Sequence, residues 1–215
     1  MNNIEITELP QGIFGNVSIV AVGVQLSPNF TAIHPSVLLS MKETIMAFWS
    51  DRCSLEDFPW DILPQLVAFT NLHLPGNALT TVPVLQSETL DDLDLADNNI
   101  SFIEGGWFLP NLRWLSMGVT AGTQVYLSYN LITALTEEAF RSMAEAVSLG
   151  NGILLVHENP IQCDCSMAWL VLDQVLLSQV RGSCEDGTSF QELDPNVFEE
   201  LCNQMNPPML DGYSN

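Results

Sequence analysis

The chain has 215 residues, an apolar content of 47% and a formal net charge of −21, from 26 acidic residues against 5 lysines and arginines. An apolar content this high excludes an intrinsically disordered chain, and no apolar stretch reaches the roughly 18 residues that span a bilayer. The negative charge argues against nucleic acids and anionic membranes as partners, because their phosphates would be repelled. A solvated acidic exterior is the simplest interpretation of the charge.

The first residues lack both the basic segment and the apolar segment of a secretory signal peptide. They have Ile4, Ile6 and Leu9 instead, at the spacing of a repeat already in progress. We therefore expect a truncated fragment or a gene model without its first exon. An intracellular protein is the competing interpretation, which the cysteines must decide.

An apolar pattern then recurs along the chain. Its clearest unit contains Leu90, Leu93, Leu95, Asn98 and Ile100, which matches the template LxxLxLxxNxL. The polar position of the template recurs with steps of 24, 21, 32 and 29 residues, at Cys53, Asn77, Asn98, Asn130 and Asn159. This pattern is typical of leucine-rich repeats, in which each unit adds one short strand to a curved parallel sheet.

The chemistry of the template explains its residues. The fourth and sixth positions of each unit lie on the strand and point into the solenoid, while the polar residue bonds backbone groups of neighbouring turns. Cys53 fits this role as a buried free thiol rather than as a nucleophile or metal ligand. We predict about six repeats over residues 1–158, beginning with a weak unit that contains Val17, Val20 and Val22.

One step of the pattern is irregular. Leu115 and Met117 fill the fourth and sixth positions, yet Val125 and Leu127 fill them again ten residues later. Residues 118–126 have no place in the template between these two sets. They are either a loop insertion or an artefact of the gene model, and the sequence does not choose between the two.

After the last repeat the pattern changes to a cysteine-containing segment, which we assign to a C-terminal cap over residues 159–202. The final repeat of a solenoid exposes an apolar face that must be covered, and an amphipathic helix over about 166–177 would cover it with Trp169, Leu170 and Val175. Four cysteines could instead bind Zn²⁺, but CxC followed by gaps of 18 and 17 residues is not the paired CxxC spacing of zinc sites. We expect residues 203–215 to form a disordered tail.

The motif NPxxCDCxxxWL and the two later cysteines resemble the cysteine-flanked cap of extracellular leucine-rich-repeat proteins. In that family the first cysteine pairs with the third and the second with the fourth, which implies Cys163–Cys184 and Cys165–Cys202 here. Disulfides imply an oxidising compartment. Three N-glycosylation sequons agree with a secreted, extracellular glycoprotein, at Asn16, Asn29 and Asn99.

A narrower resemblance covers residues 45–202. The motifs FPWDILPQL, VPVLQS and GGWFLPNLRWL are similar to those of an arthropod group of secreted proteins. That group is named after the non-catalytic, leucine-rich subunit of a deep-sea shrimp luciferase. The resemblance implies a chain without enzymatic activity and a separate small oxygenase subunit as a candidate partner.

The sequence contains no catalytic pattern. It has no glycine-rich phosphate loop, no HExxH and no GxSxG, and its three histidines have no acidic or cysteine residues at a recurring spacing. We therefore predict no enzyme and no cofactor. The acidic run Asp91, Asp92, Asp94 and Asp97 could bind a hard cation, but alternate residues of a repeat strand face solvent, so we predict a solvated face and no metal site.

The surface best suited to binding is the concave face of the sheet, where the side chains beside each inward pair point outward. A surface with aromatic and acidic side chains could contain a binding hot spot, although exposed aromatic residues also occur without a function. We predict that this face binds a protein or a glycan; a companion subunit of a secreted oxygenase and an intracellular adaptor are the alternatives. The candidate residues are Trp49, Asp51, Asn71, His73, Asp92, Asp94, Tyr126, Ser128, Leu155 and His157.

Overall fold

A computed structural model describes residues 5–15, 17–111, 124–149 and 152–205. The strands within these ranges are β1 Glu8–Leu9, β2 Ala21–Gln25, β3 Ala32–Ile33, β4 Ala47–Asp51, β5 Asn71–His73, β6 Thr81–Val82, β7 Asp92–Asp94, β8 Phe102–Ile103, β9 Gln124–Tyr126, β10 Ile153–Leu155 and β11 Val180–Arg181. The α-helices are α1 Ser36–Leu39, α2 Glu137–Leu149, α3 Ala168–Val171, α4 Gln174–Leu177 and α5 Pro195–Met205. Three 3₁₀ segments join them, at Trp60–Gln65, Cys165–Met167 and Phe190–Glu192.

Seven strands form the main sheet, in the order β2-β4-β5-β7-β9-β10-β11, and every neighbouring pair is parallel. Because the spatial order follows the chain order, each strand belongs to one unit of a stack. Two further parallel pairs, β1–β3 and β6–β8, lie outside this sheet, and Leu9, Ile33, Val82 and Ile103 from them are buried in the same core. The predicted leucine-rich-repeat solenoid is therefore confirmed.

The register of the sheet places the repeat positions in continuous rows. Phe48, Leu72, Leu93, Val125 and Leu154 pair one after another across five strands, and all five side chains are buried. A row of this kind packs each repeat mainly against its two neighbours, so the core is a column rather than a sphere.

The first repeat differs from the prediction. Its inward residues are Val22 and Val24, because Val22 pairs with Phe48 and Val24 with Ser50, whereas Val17 and Val20 are exposed. The predicted assignment was therefore wrong by two residues. The polar position of this repeat is the fully buried Ser27, which the sequence analysis missed because serine is not part of the template.

The side-chain amide of each ladder asparagine joins its own repeat to the preceding one. Asn98 Nδ2 donates to the carbonyl oxygens of Leu95, in its own repeat, and Leu74, in the preceding repeat, while Asn98 Oδ1 accepts from the Leu79 amide. Asn77, Asn130 and Asn159 make the same kinds of contact at their own positions. The amides thereby satisfy backbone groups that are buried from water.

Cys53 occupies the ladder position of its repeat but is half-buried rather than buried. Its Sγ lies 3.8 Å from the carbonyl oxygen of Val24 and 3.5 Å from that of Asp51. A thiol is a weak donor, so this rung is weaker than the asparagine rungs.

The residue before each ladder position has a positive φ. The φ angle is 50° at Leu26, 49° at Arg52, 66° at Gly76 and 56° at Asp97, and Tyr129 and Glu158 repeat the feature. The left-handed region is unfavourable for side chains other than glycine. The chain therefore accepts this cost at five non-glycine positions in order to turn sharply into the ladder.

The C-terminal cap completes the sheet as well as covering the core. It contributes β11, whose Val180 pairs with Leu154 of the last repeat, and its side chains Leu170, Leu177 and Phe190 are buried. Two disulfides hold the cap together, Cys163–Cys184 and Cys165–Cys202, both with a Cα–Cα distance of 5.5 Å. This is the pairing that the family resemblance implies.

Two details of the cap differ from expectation. Instead of one helix over about 166–177, the segment is divided at Asp173, whose side chain accepts hydrogen bonds from the Val175 and Leu176 amides and begins α4. Val175 is 67% exposed and is not part of the apolar side. Helix α5 also runs to Met205, so residues 203–205 are helical rather than part of the predicted tail, and residues 206–215 lie outside the described residues.

The ladder predicts a large effect of a small substitution. We expect Asn98→Ala to lower the free energy of unfolding by about 3 kcal/mol, because the Leu79 amide and several carbonyl oxygens lose a buried partner. Urea unfolding followed by circular dichroism measures this difference. Asn99→Ala is the matched control, since Asn99 is exposed. With both proteins prepared without N-glycans, equal stabilities would contradict the role assigned to the ladder.

The cap disulfides predict a second effect on stability. The paired cysteines are 21 and 37 residues apart in sequence, so removal of either bond by a double serine substitution should lower the free energy of unfolding by about 3–4 kcal/mol through the chain entropy of the unfolded state. Urea unfolding of both double variants measures this loss. Cys53→Ala controls for the substitution of a cysteine outside a disulfide. A double variant as stable as the wild type would show that the bond is absent in the native protein.

Candidate binding face

The candidate binding face, which we call the concave face, is the outer surface of the seven-stranded sheet. The register aligns its central row from strand to strand. This row consists of Gly23, Trp49, His73, Asp94, Tyr126, Leu155 and Arg181. Neighbouring strands are about 4.8 Å apart, so Trp49 and Tyr126, three strands apart, have backbones roughly 14 Å from each other.

Trp49 lies across Gly23 on the first strand of the sheet. A Cβ atom on Gly23 would overlap the indole ring of Trp49, so only glycine permits this position of the ring. The indole therefore leans toward the N-terminal end of the sheet, away from His73 on its other side. The sequence analysis identified Trp49 but not Gly23, because the contact depends on the register between two repeats.

Asp92 is the most deeply buried acid of the face. The Asp92 side chain is 3% exposed, and His73 Nε2 lies 2.7 Å from Asp92 Oδ2. Asn71 Nδ2 also donates to Asp92 Oδ2, at 3.3 Å. The prediction that the acidic run simply faces solvent is therefore wrong for Asp92, because two side chains of the neighbouring strand cover it.

The electrostatics of the face follow from this arrangement. The hydrogen bond to Asp92 raises the pKa of His73 above its ordinary value, against a smaller lowering by burial, and the charges of Asp92 and Asp94 act in the same direction as the bond. Burial raises the pKa of Asp94, and the charges of Asp92 and Asp51 add to this. Asp91, beside the pair, has a pKa raised to about 6, mainly by burial. The face thus holds several carboxyl groups under mutual repulsion.

The remaining predicted residues of the face lie around this cluster. Asp51 is half-buried beside the exposed Arg52, and Tyr126 is half-buried with a pKa raised by burial and by the charges of Asp92 and Asp94. His157 is exposed. Ser128 is only 9% exposed, so it is less accessible than predicted.

Arg181 also belongs to the central row and was not predicted, because its strand comes from the cap rather than from a repeat. Arg181 Nη1 donates to the carbonyl oxygens of Ser178 and Val180. No sequence signal of the repeat template marks this residue.

Two of the three predicted glycosylation sites lie among the described residues. Asn29 and Asn99 are exposed, each one or two residues beyond a ladder position, and Asn16 lies outside the described residues. Both exposed asparagines follow the sheet strands rather than lying on them. Glycans at these positions would therefore be attached outside the central row of the concave face.

The described residues contain no group of three histidine, cysteine, aspartate or glutamate side chains arranged to hold a metal ion. No helix in the described part of the chain has the length and apolarity needed to cross a membrane.

The fold and its bonded ladder define the class: this chain is a leucine-rich-repeat protein with a disulfide-bonded C-terminal cap. It is similar to the non-catalytic subunit of Oplophorus-luciferin 2-monooxygenase from Oplophorus gracilirostris, with 22% identity over 93% of this chain and 73% of the relative. No protein-family model matches the sequence.

A solved structure has a similar fold. Human 5T4, also named trophoblast glycoprotein and Wnt-activated inhibitory factor 1, superposes with a TM-score of 0.53 at 15% identity, over 91% of this chain and 75% of that one. The leucine-rich repeat domain of APL1B matches 75% of this chain and 57% of its own, with 20% identity and a TM-score of 0.40.

The His73–Asp92 pair predicts a pH dependence of stability. Because the pKa of His73 is raised on folding, the pair contributes fully below about pH 6.5, and its contribution is lost as the pH rises through the folded-state pKa. We expect NMR titration of the imidazole to show this raised pKa, and Asp92→Asn to lower it. Urea unfolding at acidic and alkaline pH should show that His73→Gln removes stability mainly at acidic pH.

His157→Gln is the control for this experiment, since His157 is exposed on a neighbouring part of the same face. A stability difference between His73→Gln and the wild type that stays constant with pH would contradict the assigned ion pair.

Proposed function

We propose that this chain is an extracellular, non-enzymatic interaction module that binds a protein partner through the concave face. The observation that carries the proposal is the central row of the sheet, where Trp49, His73, Asp94 and Tyr126 stand side by side on four adjacent strands. A glycan ligand is less well supported, because the acidic groups of the face favour a cationic partner.

The construction of the sheet supports binding. Its backbone is held by parallel pairing and by the asparagine ladder, so the side chains of the face start from nearly fixed positions. Binding then costs little additional ordering, and tryptophan and tyrosine bury a large area with few rotatable bonds. These residue types contribute much of the energy of protein interfaces.

The extracellular location rests on independent features. Two disulfides in the cap are stable only in an oxidising compartment. The sequon asparagines Asn29 and Asn99 are both exposed and so accessible to a glycan. The structurally similar human protein is itself named a glycoprotein.

The His73–Asp92 pair does not indicate an enzyme. In a serine-hydrolase triad the carboxylate bonds Nδ1 of the histidine, and Nε2 accepts the proton of a nucleophile. Here Asp92 occupies Nε2, and among the described residues no hydroxyl or thiol bonds His73. The similar shrimp protein is likewise named a non-catalytic subunit.

A second candidate function is that of a companion subunit that stabilises a secreted oxygenase. The similarity to the shrimp luciferase subunit over 93% of this chain favours it. In this case the concave face would bind the catalytic subunit, so the two candidates differ in the identity of the partner rather than in the site.

Site-specific crosslinking tests the proposed face. A photoreactive amino acid replaces Trp49 or Tyr126 in the secreted protein, and replaces Phe108 in the matched control. Phe108 is 55% exposed and lies outside the seven-stranded sheet. We expect light-dependent crosslinks to the natural partner from positions 49 and 126 but not from 108. Crosslinks from position 108 alone would place the binding surface elsewhere and overturn the proposal.

Mass spectrometry of the crosslinked species then separates the two candidates. A single stoichiometric small oxygenase subunit would establish the companion function. A receptor or another surface protein would establish recognition.

A further inference from the structure

We propose that the partner presents a basic segment, one of whose arginine or lysine side chains binds Asp94 and Asp51 on the concave face in competition with the proton of His73. This inference rests on the proposed function, because it specifies the chemistry of the partner at the same face.

The first argument is an excess of negative charge on the central strands. Asp92 and Asp94 on β7 act on His73, which lies on β5. Asp51 on β4 adds its charge at Asp94, and Asp91 lies next to Asp92. Asp92 is already engaged by His73 and Asn71. Within the described residues Asp94 bonds only the Ala96 amide, so this carboxylate has bonding capacity left for a ligand.

Among the residues that the structure describes, no lysine or arginine compensates Asp94. Arg52 lies 3.9 Å from Asp51, with 73% of the Arg52 side chain exposed, and exposed pairs of this kind contribute little. Arg181 donates to two carbonyl oxygens at the far end of the row. Asp94 is therefore a half-buried acid without an ion-pair partner in the described part of the chain.

The second argument is the response of these carboxyl groups to their neighbours. The pKa of Asp94 is raised by burial and by the charges of Asp92 and Asp51. A raised pKa means that the ionised form is disfavoured in the unbound protein. A bound cation reverses this effect, so part of the repulsion within the free face is recovered as binding energy.

The third argument is the shape of the surroundings. Trp49 leans over Gly23 and leaves His73 40% exposed on its side chain, while Tyr126 borders Asp94 on the next strand. The acidic residues thus lie on the sheet between the strands of two aromatic residues, Trp49 on β4 and Tyr126 on β9. The methylene groups of arginine or lysine pack on such rings, and the charged end of the side chain is attracted to the ring faces.

His73 supplies the competition. When protonated, it places a positive charge beside Asp92, within the field of Asp94, and reduces the attraction of the face for a second cation. The charged groups that act directly on His73 are Asp92 and Asp94 on β7. Asp51 on β4, which lies beside Arg52, acts on Asp94, while Asp91 and Tyr126 are coupled to the same two carboxylates. Affinity for a cation should therefore fall as the pH falls through the His73 pKa, and further as Asp91 and Asp94 become protonated.

Binding of a labelled hexa-arginine peptide, followed by fluorescence anisotropy at pH 8 and about 0.15 M salt, tests the partner chemistry. The variant Asp51→Asn/Asp94→Asn removes two charges from the face. The matched control Glu56→Gln/Glu185→Gln removes two charges from exposed positions away from it. We expect about tenfold weaker binding for the first variant and less than about twofold for the control.

Equal weakening in the two variants would show that the peptide responds only to net charge and would overturn the proposal. No binding to the wild-type protein would overturn it as well. Thermal melting of each variant, measured in the same buffer, shows whether a loss of binding comes from unfolding.

The same titration from pH 8 to pH 5.5 tests the competition. His73→Gln should lose the part of the pH dependence that His73 causes, while the part from Asp91 and Asp94 remains. An identical decrease in the variant and the wild type would refute competition by the His73 proton. A further outcome would separate this inference from the proposed function. If the natural partner crosslinks to positions 49 and 126 but the Asp51→Asn/Asp94→Asn variant binds hexa-arginine as tightly as the wild type, the proposed function stands and this inference fails.

Discussion

The structure depends on one contact, the bond from a ladder side chain to the backbone of the preceding repeat. A short strand of three residues has too few hydrogen bonds to be stable alone, and its turns leave amides and carbonyls buried without partners. One asparagine amide satisfies several of these groups at once, as Asn98 does for Leu74 and Leu79. The sharp turn that brings each amide inward requires a positive φ, and even Tyr129 and Glu158 adopt it.

The ladder also explains why the concave face can hold unfavourable chemistry. Inward residues supply the stability, so the outward residues of the same strands are free to be acidic and crowded. His73, Asp92 and Asp94 occupy strand positions whose neighbours Leu72, Leu93 and Leu95 are fully buried. The buried core therefore stabilises the fold despite the repulsion between the grouped carboxylates, and the face can be selected for binding.

The repeat register was predictable wherever the template is strong, because the fixed spacing between the periodic leucines and the asparagine allows only one register. The prediction failed in the first repeat, where Ser27 replaces asparagine and valines occur at the inward positions of both possible registers.

The outward direction of Trp49 and His73 follows from strand alternation alone. The burial of Asp92 does not, because it depends on which side chains of the adjacent repeat reach across, and neither does Arg181, whose strand belongs to the cap. The position of Trp49 over Gly23 likewise arises only when two distant segments are aligned.

The ladder bonds have a direction. Asn98 reaches Leu74 and Leu79, and Asn159 reaches Leu127 and Ile132, so each amide bonds groups that precede it in the chain. As the chain leaves the ribosome, every new repeat therefore meets a surface that has already been synthesised. Assembly can proceed vectorially, one coil at a time, and the cysteines of the cap are synthesised only after the repeats that the cap covers.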